Sequence, residues 1–433
     1  MSDKKPHRTK RQKTLLIVNI VVASSCIIAG SGLLYANQRL SNRQVVSIDQ
    51  ANGDGTDSSG NQASGSNEWN LPPGDLSARN YLITGTDSRE CIDPKSPFAG
   101  GFGDRTNFGE RSDTIMVIRV NPLDDQALIL SFPRDMWVKI SGSTHKSRIN
   151  SAFQRKDPNK LIRTIKDNFD INIDHYVNID FCTFKDIVEA VGGVKVPFLY
   201  RTRDKGTGLN IPEPGCFTFT GDHALAYVRS RHYSYYDTVK KKWRTDALSD
   251  WGRISRQQDF TRRMVQRALE RGRTNPKIAT QMLNTALKNV ITDDKLTPMK
   301  LLQLAQAMKN YDPTTMSTYT MQAIGAKIGK ESVLLPDLES SNMKDILSIF
   351  RGQASLKKAP PSSSSELSTD STALETSFVV GTLRAMSATY KVPAVVTTVP
   401  STTSSTTTST TIPEVDPTPN DRGVTPPADP SCH

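Results

Sequence analysis

From Leu15 to Ala36 the chain carries no charged residue. As a helix rising ~1.5 Å per residue, this stretch spans the ~30 Å hydrocarbon core of a bilayer. Lys4, Lys5, Arg8, Lys10, Arg11 and Lys13 precede it. The positive flank predicts a cytoplasmic N-terminus, with everything beyond Arg39 outside the cell. Leu34-Tyr35-Ala36 is a poor small-x-small cleavage site, which favours an uncleaved signal-anchor over a cleaved signal peptide. Chemistry on that side cannot count on ATP. The formal net charge is +11 over 433 residues, which favours acidic partners. The topology disfavours nucleic acid and leaves a membrane surface or phosphorylated glycans.

Composition then divides the chain. Residues 1–13 read as a basic cytoplasmic segment and 14–36 as a transmembrane helix. Residues 37–75 are rich in Gly, Ser, Asn and Asp and read as a flexible extracellular linker. Residues 353–433, with a Ser362–Ser365 run and a Thr-rich tract from Thr397 to Thr411, read as a disordered Ser/Thr/Pro-rich tail. Between them, 76–352 is compositionally ordinary and long enough to bury a core.

Strand and helix signals alternate through 76–352. Tyr81 to Thr84, Thr114 to Val120, Ala127 to Phe132, Tyr176 to Ile179 and Val194 to Val196 read as short strands, the first three ended by Gly85, Asn121-Pro122 and Pro133. The second and third read as a hairpin through Asn121 to Gln126. Helical spacing marks Pro158 to Phe169, Phe181 to Ala190, Ser255 to Arg271, Pro276 to Ile291 and Pro298 to Met308. Interleaved elements predict an α/β three-layer sandwich: a central mixed sheet with helices on both faces.

Candidate chemistry concentrates at strand ends and in one basic stretch. Arg229 and Arg231 alternate with Val228 and Ser230, so a strand would put both guanidiniums on one face. Arg253, Arg256 and Gln257 share a face of a helix. Four such arginines repel unless an anion lies between them, and the planar Arg fork suits phosphate oxygens. A solvated basic face is the plainer reading. Asp87 and Arg89 follow the first strand, Arg111 and Asp113 open the second, and Arg134 closes the third. Sites in open α/β sheets form at strand ends. Two carboxylates among guanidiniums suit a divalent metal with phosphate, since Mg²⁺ takes one or two protein carboxylates. Singly, Asp87 and Asp113 are equally well explained as turn or cap residues.

Six segments together resemble one family. They are Gly85-Thr86-Asp87-Ser88-Arg89, Arg111-Ser112-Asp113-Thr114, Ser131-Phe132-Pro133-Arg134-Asp135, Val191-Gly192-Gly193-Val194, the run from Gly221 to Arg231, and Arg256-Gln257-Gln258. In this order, behind a single anchor, the chain resembles the LytR-CpsA-Psr family of extracellular cell-wall enzymes. The resemblance implies transfer of a glycopolymer phosphate from a polyprenyl-pyrophosphate carrier to a peptidoglycan hydroxyl. It implies Asp87 and Asp113 as carboxylates for magnesium, with manganese able to replace it. It implies Arg111, Arg134, Arg229, Arg231 and Arg253 as holders of the pyrophosphate, with Gln257 close by and Arg89 and Arg256 as further members. Val138 stands where some members carry another basic residue. The implied location is the plasma membrane, single-pass, with the catalytic domain outside. Two other classes stay open: a regulatory protein that binds the lipid pyrophosphate, and a lipid pyrophosphatase using water.

Three cysteines fall in 76–352: Cys91, Cys182 and Cys216. An oxidising location predicts a disulfide. Cys216 in its Pro-Gly turn and Cys182 at a helix start make Cys182–Cys216 the expected pair. The stretch His232 to Ser249, with Tyr233, Tyr235, Tyr236 and Lys240 to Lys242, reads as a solvated loop, or else as a lid or glycan platform.

Overall fold

A computed structural model of the chain describes residues 44–49, 75–86, 95–99, 112–274, 290–357, 412–429 and 431–432. Its centre is a seven-stranded sheet. The strand order is Val45–Val46, Ile291–Asp293, His175–Asp180, Arg79–Thr86, Ser112–Asn121, Gln126–Ser131 and Ser317–Thr320. Parallel and antiparallel pairs are mixed. The predicted hairpin is present, its strands joined by a short 3-10 turn at Pro122–Asp124.

Alternation along the strands builds the layers. Leu82, Ile115, Val117, Leu128 and Leu130 face one side and pack on the helices Asn159–Phe169 and Ser341–Phe350. Ile83, Met116, Ile118 and Ile129 face the other side. They meet Val265 and Leu269 of the helix Ser249–Thr274 and Leu304 of the helix Pro298–Ala307. Each buried side chain of this size stabilises the fold by roughly 1.5–3 kcal/mol. The mixed sheet with helices on both faces is the arrangement expected.

A second core forms beside the sheet. Helices Phe181–Ala190 and Gly221–Arg229 pack with the strand pair Val194–Phe198 and Gly215–Phe219, around Phe198, Phe219, Leu225 and Tyr227. Phe260 of the long helix Ser249–Thr274 belongs to this core as well, so that helix ties the two together. A small four-stranded sheet lies alongside: Leu209–Ile211, Thr202–Asp204, Ser234–Asp237 and Lys242–Thr245. The stretch expected as a solvated loop is therefore a β-hairpin, with Tyr236 opposite Trp243.

Five expectations need correction. Arg229 ends a helix, Ser230 is its extended cap and Arg231 lies in a bend, so no strand carries both guanidiniums. The proposed helix Pro276 to Ile291 lies outside the described residues as far as 289, and Ile291 begins a strand. The linker is not wholly flexible: Val45–Val46 joins the central sheet, and Ile48 is buried in the main core. The tail is not wholly disordered either. Glu414–Val415 pairs with Ser355–Leu356, and both amide groups of Asn420 bond the backbone of Thr320 at the open sheet edge. Finally, Cys216 is bonded to Cys432 with Cα atoms 5.5 Å apart, not to Cys182, which is held in a disulfide of its own. The tail thus forms a strap across the sheet edge and the long helix.

Candidate active site

The long helix organises the site. Arg253, Gln257, Phe260, Thr261, Met264 and Val265 follow one another at helical spacing, and all six line one cavity of about 410 Å³. At ~1.5 Å per residue, Arg253 and Val265 are about 18 Å apart along the axis. The face passes from charged to apolar over that length. Opposite it stand Ile83, Met116 and Ile118 of the sheet, Phe181 and Phe184 of one helix, and Leu225 and Val228 of another. Asp113, Arg229 and Arg231 complete the polar part.

Asp113 projects from the strand Ser112–Asn121 near its first residue. Arg134 donates to its Oδ1 at 2.7 Å, and Arg231 Nη2 lies 3.8 Å from the same oxygen. Burial alone would raise the pKa of this carboxyl. Arg253, Arg134 and Arg231 more than reverse that, holding it at about 2. Arg231 is pushed down to about 10 by burial and by repulsion from Arg253 and Arg134, against the pull of Asp250 and Asp113. It stays charged at neutral pH.

Asp250 bridges two of these cations, 3.3 Å from Arg231 Nε and 3.0 Å from Arg253 Nη2. The second contact is close but out of line. Arg253 is 3% exposed, and its Nε and Nη2 have no hydrogen-bond acceptor among the described residues. Buried donors of this kind cost free energy until an acceptor reaches them. Arg229 lies over the Phe181 ring at 4.6 Å. Gln257 lines the cavity while donating to Val228 O at 3.1 Å.

The structure thus brings Asp113, Arg134, Arg229, Arg231, Arg253 and Gln257 together. Asp87, Arg89 and Arg111 lie outside the described residues. Arg256 is a correction. It is fully buried away from the cavity, ion-paired to Asp246 at 2.9 Å and donating to Ser230 O at 2.8 Å and Val424 O at 3.1 Å. Helix geometry explains the split. At about 100° per residue, Gln257 sits ~40° to one side of Arg253 and Arg256 ~60° to the other. Gln258 is structural too, donating to Ser131 Oγ and Tyr319 O. Val138 is in the main core.

Sequence reasoning missed Asp250 and the apolar wall. Asp250 stands three residues before Arg253, a helical neighbour and ready ion-pair partner. Phe181 with Phe184, and Phe260 with Met264, are likewise at helical spacing. That spacing is the same whether a face meets a core or a cavity, so it carries no separate signal.

A divalent metal is compatible with the residues present. Asp113 is ionised and faces the cavity, which suits a site that takes few protein ligands. No group of three or more acidic, His or Cys side chains surrounds a common point among the described residues. Asp113 is then the one described carboxylate available from the expected pair.

An apolar cavity ending at a cluster of guanidiniums held by Asp113 and Asp250 defines a mixed α/β protein suited to an amphiphile with an anionic head. The sequence model of the LytR_cpsA_psr family matches residues 39–349, and the chain belongs to that family. It is 32% identical over 232 residues to the polyisoprenyl-teichoic acid–peptidoglycan teichoic acid transferase TagU of Halalkalibacterium halodurans, covering 53% of this chain and 66% of that one. It is 26% identical over 270 residues to the similarly named TagV of Bacillus subtilis, covering 59% and 65%. A solved LytR-Csp2A-Psr enzyme from Actinomyces oris aligns with a TM-score of 0.49 at 20% identity, covering 71% and 96%. The chain spans less than two thirds of the length of the two transferases.

Proposed function

We propose that the chain is an extracytoplasmic phosphotransferase that moves a glycopolymer from a polyprenyl-pyrophosphate carrier to a peptidoglycan hydroxyl through a phosphodiester. The observation that carries this reading is the polar-to-apolar cavity along the long helix. A lipid pyrophosphate has that polarity: an isoprenoid chain for Phe184, Phe260, Met264 and Val265, and a dianionic head for Arg229, Arg231 and Arg253. The unsatisfied Nε and Nη2 of Arg253 are donors for its oxygens.

In the reaction the acceptor hydroxyl oxygen forms a bond to the sugar-proximal phosphorus, the bond from that phosphorus to the departing lipid phosphate breaks, and the hydroxyl proton leaves to that lipid phosphate or to solvent. The arginines hold both phosphates and balance charge as it moves to the leaving group. Asp113, with a pKa of about 2, is a weak base. Its role in this reading is to place the arginines and to bind metal. With Asp87 it would hold magnesium, or manganese, which would supply a Lewis acid against the pyrophosphate charge. The stretch from Leu15 to Ala36 would anchor the chain in the plasma membrane, N-terminus inside. It lies outside the described residues, among which no helix is long and apolar enough to cross a bilayer.

The test uses the full chain in detergent with a synthetic polyprenyl-pyrophosphoryl saccharide, peptidoglycan oligomers and Mg²⁺. Sugar phosphate should appear on the acceptor, and Arg231→Ala should abolish it. Phosphate released to water without labelling would make the chain a pyrophosphatase. Lipid binding with neither product would make it a binding protein.

A further inference from the structure

The small four-stranded sheet has two unlike faces. Thr202, Asp204, Leu209 and Ile211 turn inward and are buried. On the outer face Tyr236 stands opposite Trp243, their rings 5.7 Å apart. The Arg203 guanidinium lies 3.8 Å over the Trp243 ring, and Arg201 lies 5.7 Å from Tyr236 and 5.9 Å from Trp243. A guanidinium packed over an indole is positioned while its N–H groups can still reach phosphate or carboxylate oxygens. The geometry is set before a ligand arrives, which lowers the ordering cost of binding.

The charge around this cluster is one-sided. Lys205, Lys240 and Lys241 lie on the turns beside it, Lys242 opens the strand Lys242–Thr245, and all four are exposed. None of these lysines, nor Arg201 or Arg203, has an ion-pair partner among the described residues. The two acids of the sheet are already engaged. Asp237 pairs with Arg244 at 3.3 Å, and Asp204 accepts from Ser230 Oγ and His232 N. Six cations on one small sheet and its turns, with no acid left to pair them, give a local excess of positive charge that suits a polyanion. The turn between Thr202–Asp204 and Leu209–Ile211, which carries Lys205, reaches the cavity, because Gly206 and Thr207 line it together with Asp204 and His232.

We propose that this outer face binds the glycan part of the donor as a polyanion, a saccharide chain bearing phosphate or carboxylate groups. The inference rests on the donor reading above. A glycan leaving the pyrophosphate at the cavity mouth runs past Lys205 onto Arg203 and Arg201, with Lys240 and Lys241 on the hairpin turn of the same sheet and Tyr236 as an apolar surface for a sugar ring.

The test measures binding to the full chain in detergent with three probes: a glycerol phosphate oligomer, a neutral dextran oligomer of similar length, and polyprenyl pyrophosphate carrying one sugar. The wild type should bind the phosphate oligomer at least about tenfold more tightly than dextran, with affinity falling as salt rises. Arg201→Gln/Arg203→Gln should lose about tenfold for the oligomer and keep its affinity for the single-sugar lipid. Lys240→Gln/Lys241→Gln, on an exposed turn outside the stacked cluster, should weaken oligomer binding in the same direction. Equal affinity for the two oligomers, or variants that bind like wild type, would overturn the proposal and leave the donor reading standing. Oligomer binding in a wild type that fails to bind the single-sugar lipid would overturn the donor as the source of the glycan, and the donor reading with it.

Discussion

Arg134 donates through Nη1 to Oδ1 of Asp113 at 2.7 Å, joining the ends of two adjacent strands of the central sheet. Arg231 approaches the same oxygen at 3.8 Å from the far side of the cavity. One carboxylate therefore sets the spacing of two guanidiniums. Asp113→Asn keeps the shape and removes the charge. Transfer should fall by about 10²-fold or more. Steady-state rates alongside lipid-binding affinity check this, and an unchanged rate would remove Asp113 from the site.

The same carboxyl predicts an acid response. Its folded pKa of about 2 lies below the ~3.9 of an unfolded aspartate. The folded state therefore holds the ionised form more strongly. That contribution is complete above about pH 4 and is lost as pH falls toward 2. Thermal unfolding of wild type and Asp113→Asn across that window should show a gap that closes as the pH drops.

Arg253 carries the donors without acceptors. Arg253→Ala should cost on the order of 10²-fold in transfer rate. Inorganic pyrophosphate should raise the melting temperature of the wild type and not of this variant. Equal shifts in the two proteins would place the anion elsewhere.

Met264 lies at the apolar end of the cavity-lining helix face. Met264→Trp fills space there. It should raise KM for a long-chain polyprenyl donor by roughly tenfold and leave a short-chain donor little changed. A matched effect on both donors would show that the lipid does not occupy this part of the cavity.

The Arg256–Asp246 pair is predicted to act on stability. Arg256 is fully buried and Asp246 nearly so. Arg256→Ala strands a buried carboxylate and should cost about 3–5 kcal/mol. Reducing Cys216–Cys432 releases the strap that reaches the same pair through Val424 N at 3.2 Å. The expected loss is about 2–4 kcal/mol. Gly252 sets the fit, since a Cβ there would fall 2.1 Å from Asp246 Oδ2. Denaturant unfolding of Cys216→Ser/Cys432→Ser beside the wild type, both without reductant, measures this disulfide's contribution, and an unchanged midpoint would refute it.

Much of the fold is written locally. Period-two runs such as Thr114 to Val120 must put alternate residues on opposite faces, and helical spacing in Asn159–Phe169 must give one apolar side. Those patterns dictate a sheet covered on both faces whatever lies far away in the chain. The arginine and aspartate segments at strand ends were legible for the same reason: a strand end is a local feature, and like charges gathered there need an anion. Long-range packing settled the rest. Arg253 and Arg256 are the same residue type one turn apart. Helix geometry turns them about 60° apart, and the positions of Asp246, Ser230 and Val424 decide that it is Arg256 that is locked in the interior while Arg253 faces the cavity. The apolar wall has the spacing of ordinary core, and it is a cavity because two packing units leave space between them along one face of the long helix. Cys216 finds its partner 216 positions away, at the end of a segment whose composition reads as unstructured. Composition reports what a segment can bury by itself. Asn420, Val424 and Cys432 are ordered by what the folded domain offers them: an open sheet edge, a buried carboxylate and a thiol.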